Sequence, residues 1–244
     1  MKHSPLILHI PHASTTIPLY NGYVNLTLLQ QEINLLTDWH TDQLFVYPGS
    51  ERVVASFSRV FCDVERFRND AEEPMASKGM SLTYTHTDSG HLLRNVSDEL
   101  RLQIVQSYYD PHHEKLTHIV EAHLEIYNKA RIIDCHSYPT VPLKRDLDQK
   151  QPRPDFNIGI TPFHTPQRWI ELSETFFSKS GYTLGVNWPY AGTMVPMKYY
   201  QKDARVESIM LEVNRDLYLE QGSNLPSANF DNIRRIITEW MQII

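Results

Sequence analysis

Leu6-Ile7-Leu8-His9-Ile10, with Pro11-His12-Ala13-Ser14 behind it, is a short apolar run that hands a histidine to its carboxyl end. The run predicts a buried strand. Ala130-Arg131-Ile132-Ile133-Asp134-Cys135 predicts a second one, followed by His136-Ser137, and Ile209-Met210-Leu211-Glu212-Val213 a third that carries a carboxylate. In an open α/β sheet, ligands bind outside the carboxyl ends of the strands. Two imidazoles and a nearby glutamate delivered there are the minimum parts of a zinc hydrolase site.

Working outward, Leu26 to Phe45 has apolar residues at helical spacing, and Val53–Phe57 and Val60–Val64 are short strand candidates. Residues 68–93 are rich in Asn, Asp, Ser, Gly and Thr and predict a long loop, a place where function often resides. Val96 to Asn128 predicts one long helix, or two broken near Pro111. Residues 138–156 hold four prolines, with six charged residues between Lys144 and Arg153, and predict a second surface loop. Strands are expected at Asn157–Ile160, Tyr182–Val186 and Ser208–Val213, and helices at Thr165–Ser180 and Ser227–Ile243. Strands alternating with helices predict an α/β fold on a mostly parallel or mixed sheet.

The chain has 244 residues, 41% hydrophobic and 21% charged, the balance of an ordinary globular protein. A net charge of −6 argues against a nucleic-acid surface as the main function but allows a local basic pocket. No apolar run is long enough to span a membrane. Met1 to Pro5 and the short stretch after them are too brief and polar for a signal peptide. Cys62 and Cys135 are expected as free buried thiols in a reducing cytoplasm. Cys135 is not expected as a nucleophile, because it points to the opposite strand face from His136.

A single histidine after a proline is more often a turn cap than a ligand. His12 and His136 gain weight together, because both follow apolar strands and both precede a small residue or hydroxyl. Thr37-Asp38-Trp39-His40-Thr41-Asp42 offers a third ligand, with Asp38 and Asp42 on one face if the segment is helical. Such a set leaves a fourth position for water, as catalytic zinc requires. Glu212, in an apolar strand, is a candidate general base, or a simple partner for Arg215. Asp134 shares a strand face with His136 and could orient its imidazole. Arg66, Arg68, Arg94 and Arg215 are candidates for holding substrate carboxylates, and at least two of the four are expected to be plain surface arginines.

Six short segments, in order, resemble the N-formylglutamate amidohydrolase family. They are His9-Ile10-Pro11-His12-Ala13-Ser14 with Ile17-Pro18; Thr37 to Asp42; Ser58-Arg59 with Asp63-Val64-Glu65-Arg66; Pro111-His112-His113 with Leu116; Asp134-Cys135-His136-Ser137; and Glu212-Val213-Asn214-Arg215. The resemblance implies one domain over residues 1–244, with a central mixed, mostly parallel sheet and helices on both faces, as in zinc carboxypeptidases. It implies one catalytic Zn2+ per chain held by His12, Asp38 (or Asp42) and His136, with Glu212 as general base. Arg66 and Arg215 would bind substrate carboxylates, with Arg94 a further candidate, and Asp134 would support His136; His113 matches a family histidine and serves equally as a helix-packing residue. The implied substrate is a small acidic N-acyl amino acid such as N-formylglutamate, in a cytoplasmic enzyme of histidine degradation, with no nucleic-acid or membrane partner. Where the family pattern has Asp-Leu-Asn-Arg, this chain reads Asp63-Val64-Glu65-Arg66, and residues 144–154 also differ; both regions would shape the pocket. Two rival readings are a peptidase or murein-peptide amidase on the same scaffold, and a non-catalytic module that retains the fold.

Overall fold

The computed structural model describes residues 5–244; the reading of Met1 to Ser4 lies outside them. Six strands, β1 (Leu6–Ile10), β2 (Glu51–Val54), β3 (Ala130–Tyr138), β4 (Phe156–Gly159), β5 (Leu184–Val186) and β6 (Val206–Asn214), form one sheet in the order β2-β1-β3-β6-β4-β5. Every pairing is parallel except β4 against β6, so the sheet is mixed and mostly parallel, as expected. The helices are α1 (Leu26–Leu36), α2 (Thr41–Leu44), α3 (Asp98–Ile104), α4 (Asp110–Tyr127), α5 (Gln167–Lys179) and α6 (Phe230–Ile243).

Strand alternation divides the core into two faces. Leu6, Leu8, Ile10, Ile133, Cys135, Ile209 and Leu211 pack with Trp169, Phe177, Ile237 and Trp240 of α5 and α6. Ile7, Ile132 and Val206 pack with Leu116 and Val120 of α4 on the other face. His9, Asp134 and His136 have the parity of that second face, so the sequence period alone sends them to one side of the sheet. No helix among the described residues is long and apolar enough to cross a membrane.

Local interactions decide where several elements begin and end. The helix from Leu26 stops at Leu36: the Thr37 hydroxyl and N–H both bond the Ile33 carbonyl, and His40 takes a left-handed φ of 59°. Asp38 is therefore in a loop, and its N–H donates to the His12 carbonyl at 3.0 Å. Val60–Val64 is a buried turn, because Ser58 accepts the N–H of Val60 on its hydroxyl and those of Phe61 and Cys62 on its carbonyl. Residues 98–127 run on as one helical stretch, with a wider turn at Val105–Tyr109 before Pro111. β3 extends to Tyr138 and β6 to Asn214, which places His136 and Glu212 inside strands and directly opposite each other.

Trp240 is fully buried, lies 6.2 Å from the Phe177 ring, and donates its indole N–H to Ser173 Oγ at 2.8 Å. Trp240→Ala removes a large side chain and leaves that hydroxyl's partner site empty. We expect a loss of about 3–5 kcal/mol in unfolding free energy, read from urea denaturation; a loss below 1 kcal/mol would show that α6 contributes little to the core.

Candidate active site

β1, β3 and β6 bring His12, His136 and Glu212 to the floor of a cavity of about 640 Å³, joined there by Asp38, Glu65 and Arg66. The rings of His12 and His136 lie 5.1 Å apart. Each imidazole has a carboxylate at Nε2: Asp63 Oδ1 is 2.9 Å from His12, and Asp134 Oδ1 and Glu65 Oε1 are each 3.1 Å from His136. On the Nδ1 side both rings face Asp38, whose Oδ2 is 3.1 Å from His136 and 3.7 Å from His12. His12 Nδ1 is buried without a hydrogen-bond partner, and so is Glu212 Oε2.

Four carboxylates thus surround the imidazole pair. His12, Glu65 and His136 each offer a ligand atom within 4.8 Å of the others, and this buried group could hold a metal ion. Asp38 lies on the opposite, Nδ1 edge, where the partnerless nitrogen is. Arg215 Nη2 holds Asp38 by Oδ1 at 3.0 Å, which leaves Oδ2 turned to the rings. Asp42, on α2, is half-buried and outside the cavity lining.

The charge balance fits a cation. Asp38, Asp63, Glu65, Asp134 and Glu212 face the guanidiniums of Arg59, Arg66 and Arg215. Burial alone would raise the Asp63 carboxyl, but Arg59 and His12 outweigh it and hold it well below the usual range. Asp38 and Asp134 are likewise lowered against the cost of burial, by the imidazoles they face. Burial would also lower the two imidazoles, yet the surrounding carboxylates raise both, His136 strongly. The pair therefore sits where positive charge is favoured. Buried carboxylates and imidazoles are the hard and borderline donors that hold divalent metal ions.

A family model described as N-formylglutamate amidohydrolase matches residues 4–219. The chain belongs to the N-formylglutamate amidohydrolase family. Its fold matches that of the N-formylglutamate amidohydrolase from Ralstonia eutropha JMP134, with a TM-score of 0.85 and 23% identity over 98% of this chain and 92% of that one. A second solved structure, a gene product of Agrobacterium tumefaciens, matches with a TM-score of 0.61 and 16% identity over 98% and 91%. Both likenesses are of fold. No curated protein matches the chain significantly.

Within this amidohydrolase fold the arginines divide. Arg215 is committed: besides Asp38 it bonds the Ser137 hydroxyl and the Leu35 carbonyl, so it positions Asp38. Arg94 is buried away from the cavity, bonded to the carbonyls of Asn21, Phe61 and Leu19, with its guanidinium 4.4 Å from the Tyr23 ring centre. Arg68 pairs with Asp110 on the surface. Arg66 lines the cavity, and its nearest carboxylates, Asp63 and Glu73, are 3.5 and 3.7 Å away. Its Nε is buried against Asp63 without making a hydrogen bond, and among the described residues no hydrogen bond fixes its side chain within the protein. His113 bonds the Val64 carbonyl, a packing role on α4.

Glu65, Asp63 and Arg59 were visible in the sequence only as part of a motif. His9 and His112 had no spacing signal. His9 Nδ1 is 2.7 Å from Asp134 Oδ1, and its Nε2 is 2.9 Å from His112 Nε2, so α4 contributes to the network behind His136. A histidine inside an apolar strand was the available clue.

Burial pushes Glu212 up to about 8, Asp38 and Glu65 add to the rise, and His136 and Arg59 offset only part of it. Its unfolded value is about 4.3. The folded state therefore keeps a proton that the unfolded state releases, and this contribution to stability is lost as pH rises from about 4.3 to 8. Chelator-treated Glu212→Gln escapes that loss. It should exceed the chelator-treated parent in stability at pH 9 by a few kcal/mol, at about 1.4 kcal/mol per pKa unit, with the margin shrinking toward pH 5. Parallel stability curves from urea titrations at the two pH values would remove Glu212 from the buried charge balance.

Proposed function

We propose that the protein is a zinc-dependent amidohydrolase that cleaves the amide of an N-acyl amino acid, such as N-formylglutamate, to a carboxylate and the free amino acid. The observation that carries this reading is the buried His12–Asp38–His136 set beside Glu212, with a partnerless imidazole nitrogen in a chain of this family. His12 and His136 would hold the ion, with Asp38 as the third ligand and Glu65 its rival, since His12, Glu65 and His136 form the group whose donor atoms already lie within 4.8 Å of one another. Asp63 and Asp134 at the Nε2 atoms are the outer carboxylates that fix an imidazole's tautomer and raise its basicity. When bound, the ion supplies Lewis acidity, polarising the acyl oxygen and acidifying water.

Glu212 takes the proton of the attacking water and returns it to the leaving nitrogen. Glu212 lines the cavity beside the imidazoles, with Oε2 buried and without a hydrogen-bond partner, which places it for both transfers. Arg66, which lines the cavity, receives a substrate carboxylate. Arg59, 18% exposed and paired with Asp63 at 3.0 Å, adds positive potential where the oxyanion develops. Cytoplasmic location belongs to the same proposal and follows from the two unpaired buried thiols, Cys62 and Cys135.

Protein purified without chelator should carry about one zinc per chain by elemental analysis, as a catalytic site of this type requires. His12→Ala, His136→Ala and Asp38→Asn should lose it, while Glu65→Gln and Glu212→Gln keep it. Glu212→Gln should lose about 10²–10⁴ in kcat with metal retained. Metal kept in Asp38→Asn and lost in Glu65→Gln would move the third ligand to Glu65. No zinc in the parent, and none taken up on addition, would favour a non-catalytic module.

A further inference from the structure

N-formylglutamate has about 12 non-hydrogen atoms and occupies roughly 240 Å³ at interior packing density. The cavity is about 640 Å³, so more than half of it is left over. Much of the remaining wall is apolar: Phe67, Met75, Met80, Leu147, Met197 and Tyr200 line the same space as the imidazoles, with Asp88, Arg145 and Asp146 among them. Three of these are turned to solvent, with Leu147 78%, Met197 60% and Phe67 43% exposed. An apolar rim continuous with a polar catalytic floor is the pattern of a binding groove rather than of scattered surface residues.

Leu147 is held in place. Its loop is pinned through Asp88, which accepts the N–H groups of Lys144 and Arg145, and through Asp146, which takes Arg153 Nη2 at 2.6 Å and the Tyr190 hydroxyl at 3.0 Å. Arg153 is itself stacked near the rings of Tyr138 and Tyr190, 5.9 and 5.4 Å from their centres. The exposure of Leu147 is thus fixed by a network of buried charge and does not relax by loop collapse. Lining the mouth with rigidly presented apolar groups favours a ligand that covers them.

We infer that the substrate is an N-acyl amino acid whose acyl group is an extended apolar chain, lying from the imidazole pair out along Phe67, Leu147 and Met197, with the amino-acid carboxylate on Arg66. This rests on the amidohydrolase reading above and names its substrate class. The reaction is unchanged in kind: water adds its oxygen to the acyl carbon, the C–N bond breaks, and the proton passes to the amine nitrogen. A fatty carboxylate and a free amino acid result.

The test is a series of N-acyl glutamates (formyl, acetyl, butyryl, hexanoyl, octanoyl) given to the zinc-loaded enzyme, with N-formyl-leucine and N-formyl-phenylalanine alongside. A buried methylene is worth up to about fourfold, or ~0.8 kcal/mol, so kcat/KM should rise at least tenfold from formyl to hexanoyl. In Leu147→Ser and Met197→Ser the hexanoyl-to-formyl ratio should fall severalfold. Hydrolysis of N-formylglutamate with a flat or falling acyl series overturns this inference and leaves the amidohydrolase reading standing. A gain confined to the N-formyl apolar amino acids overturns it too, by placing the apolar group on the amine side. If no amide in the panel is cleaved, the amidohydrolase reading fails first.

Discussion

The arrangement depends on compensating buried carboxylate charge at one end of the sheet. Removing a carboxylate from water costs several kcal/mol unless a cation or strong donors face it. Asp38, Asp63 and Asp134 are buried, and each faces an imidazole. Guanidiniums cover part of the remainder, Arg59 at Asp63 and Arg215 at Asp38. The rings are consequently fixed from both edges, and each acid is shared between the cations around it. Such mutual dependence holds a site rigid to within small displacements, as chemistry at a metal centre requires.

The strands were legible where they are apolar and obscure where they carry chemistry. The limits of β1 follow from its five-residue run, but β3 and β6 run past their apolar stretches through His136, Ser137 and Asn214. Parallel pairing along nine residues supports those polar ends, and a hydropathy pattern does not report it. Helical periodicity likewise overran at Leu36, because Trp39 and Leu44 keep the spacing while His40 turns the chain left-handed. The same break carries Asp38 out of a helix and onto the His12 backbone, so a residue picked out on a helical face is delivered by a loop. Buried Val60–Val64 shows the converse: an apolar run that local hydrogen bonds from Ser58 fold into a turn.

Convergence was the harder part. His12, Asp38, Asp134, His136 and Glu212 stood out singly because each follows or interrupts an apolar segment. Glu65 reads as a departure from a family pattern, and only the fold shows that it faces the Nε2 edge of both rings, 3.1 Å from His136 and 3.7 Å from His12. His9 and His112 meet across 103 positions, a distance over which sequence spacing carries no information. Arginines were equally opaque: Arg94 and Arg215 are saturated by backbone and side-chain acceptors, whereas Arg66 lines the cavity with only the looser ion pairs to Asp63 and Glu73.

That division of labour bears on specificity. A cavity with several free arginines would select for small, multiply charged ligands, since each charge would need a buried partner. Here most guanidinium donors are consumed inside the protein, and much of the cavity's outer wall is methionine, leucine and aromatic. Methionine adapts its shape to what it covers. Polar recognition is therefore concentrated near the imidazoles, where the scissile amide must sit, and the outer wall discriminates by apolar area. A discrimination of this kind grows smoothly with chain length and does not reject a near-isostere sharply. Glu65, in the position where the family pattern has a neutral amide, adds a negative charge close to the rings and makes a second carboxylate on the ligand costlier to hold there. Together these features favour a ligand that presents a long apolar arm to the outer wall.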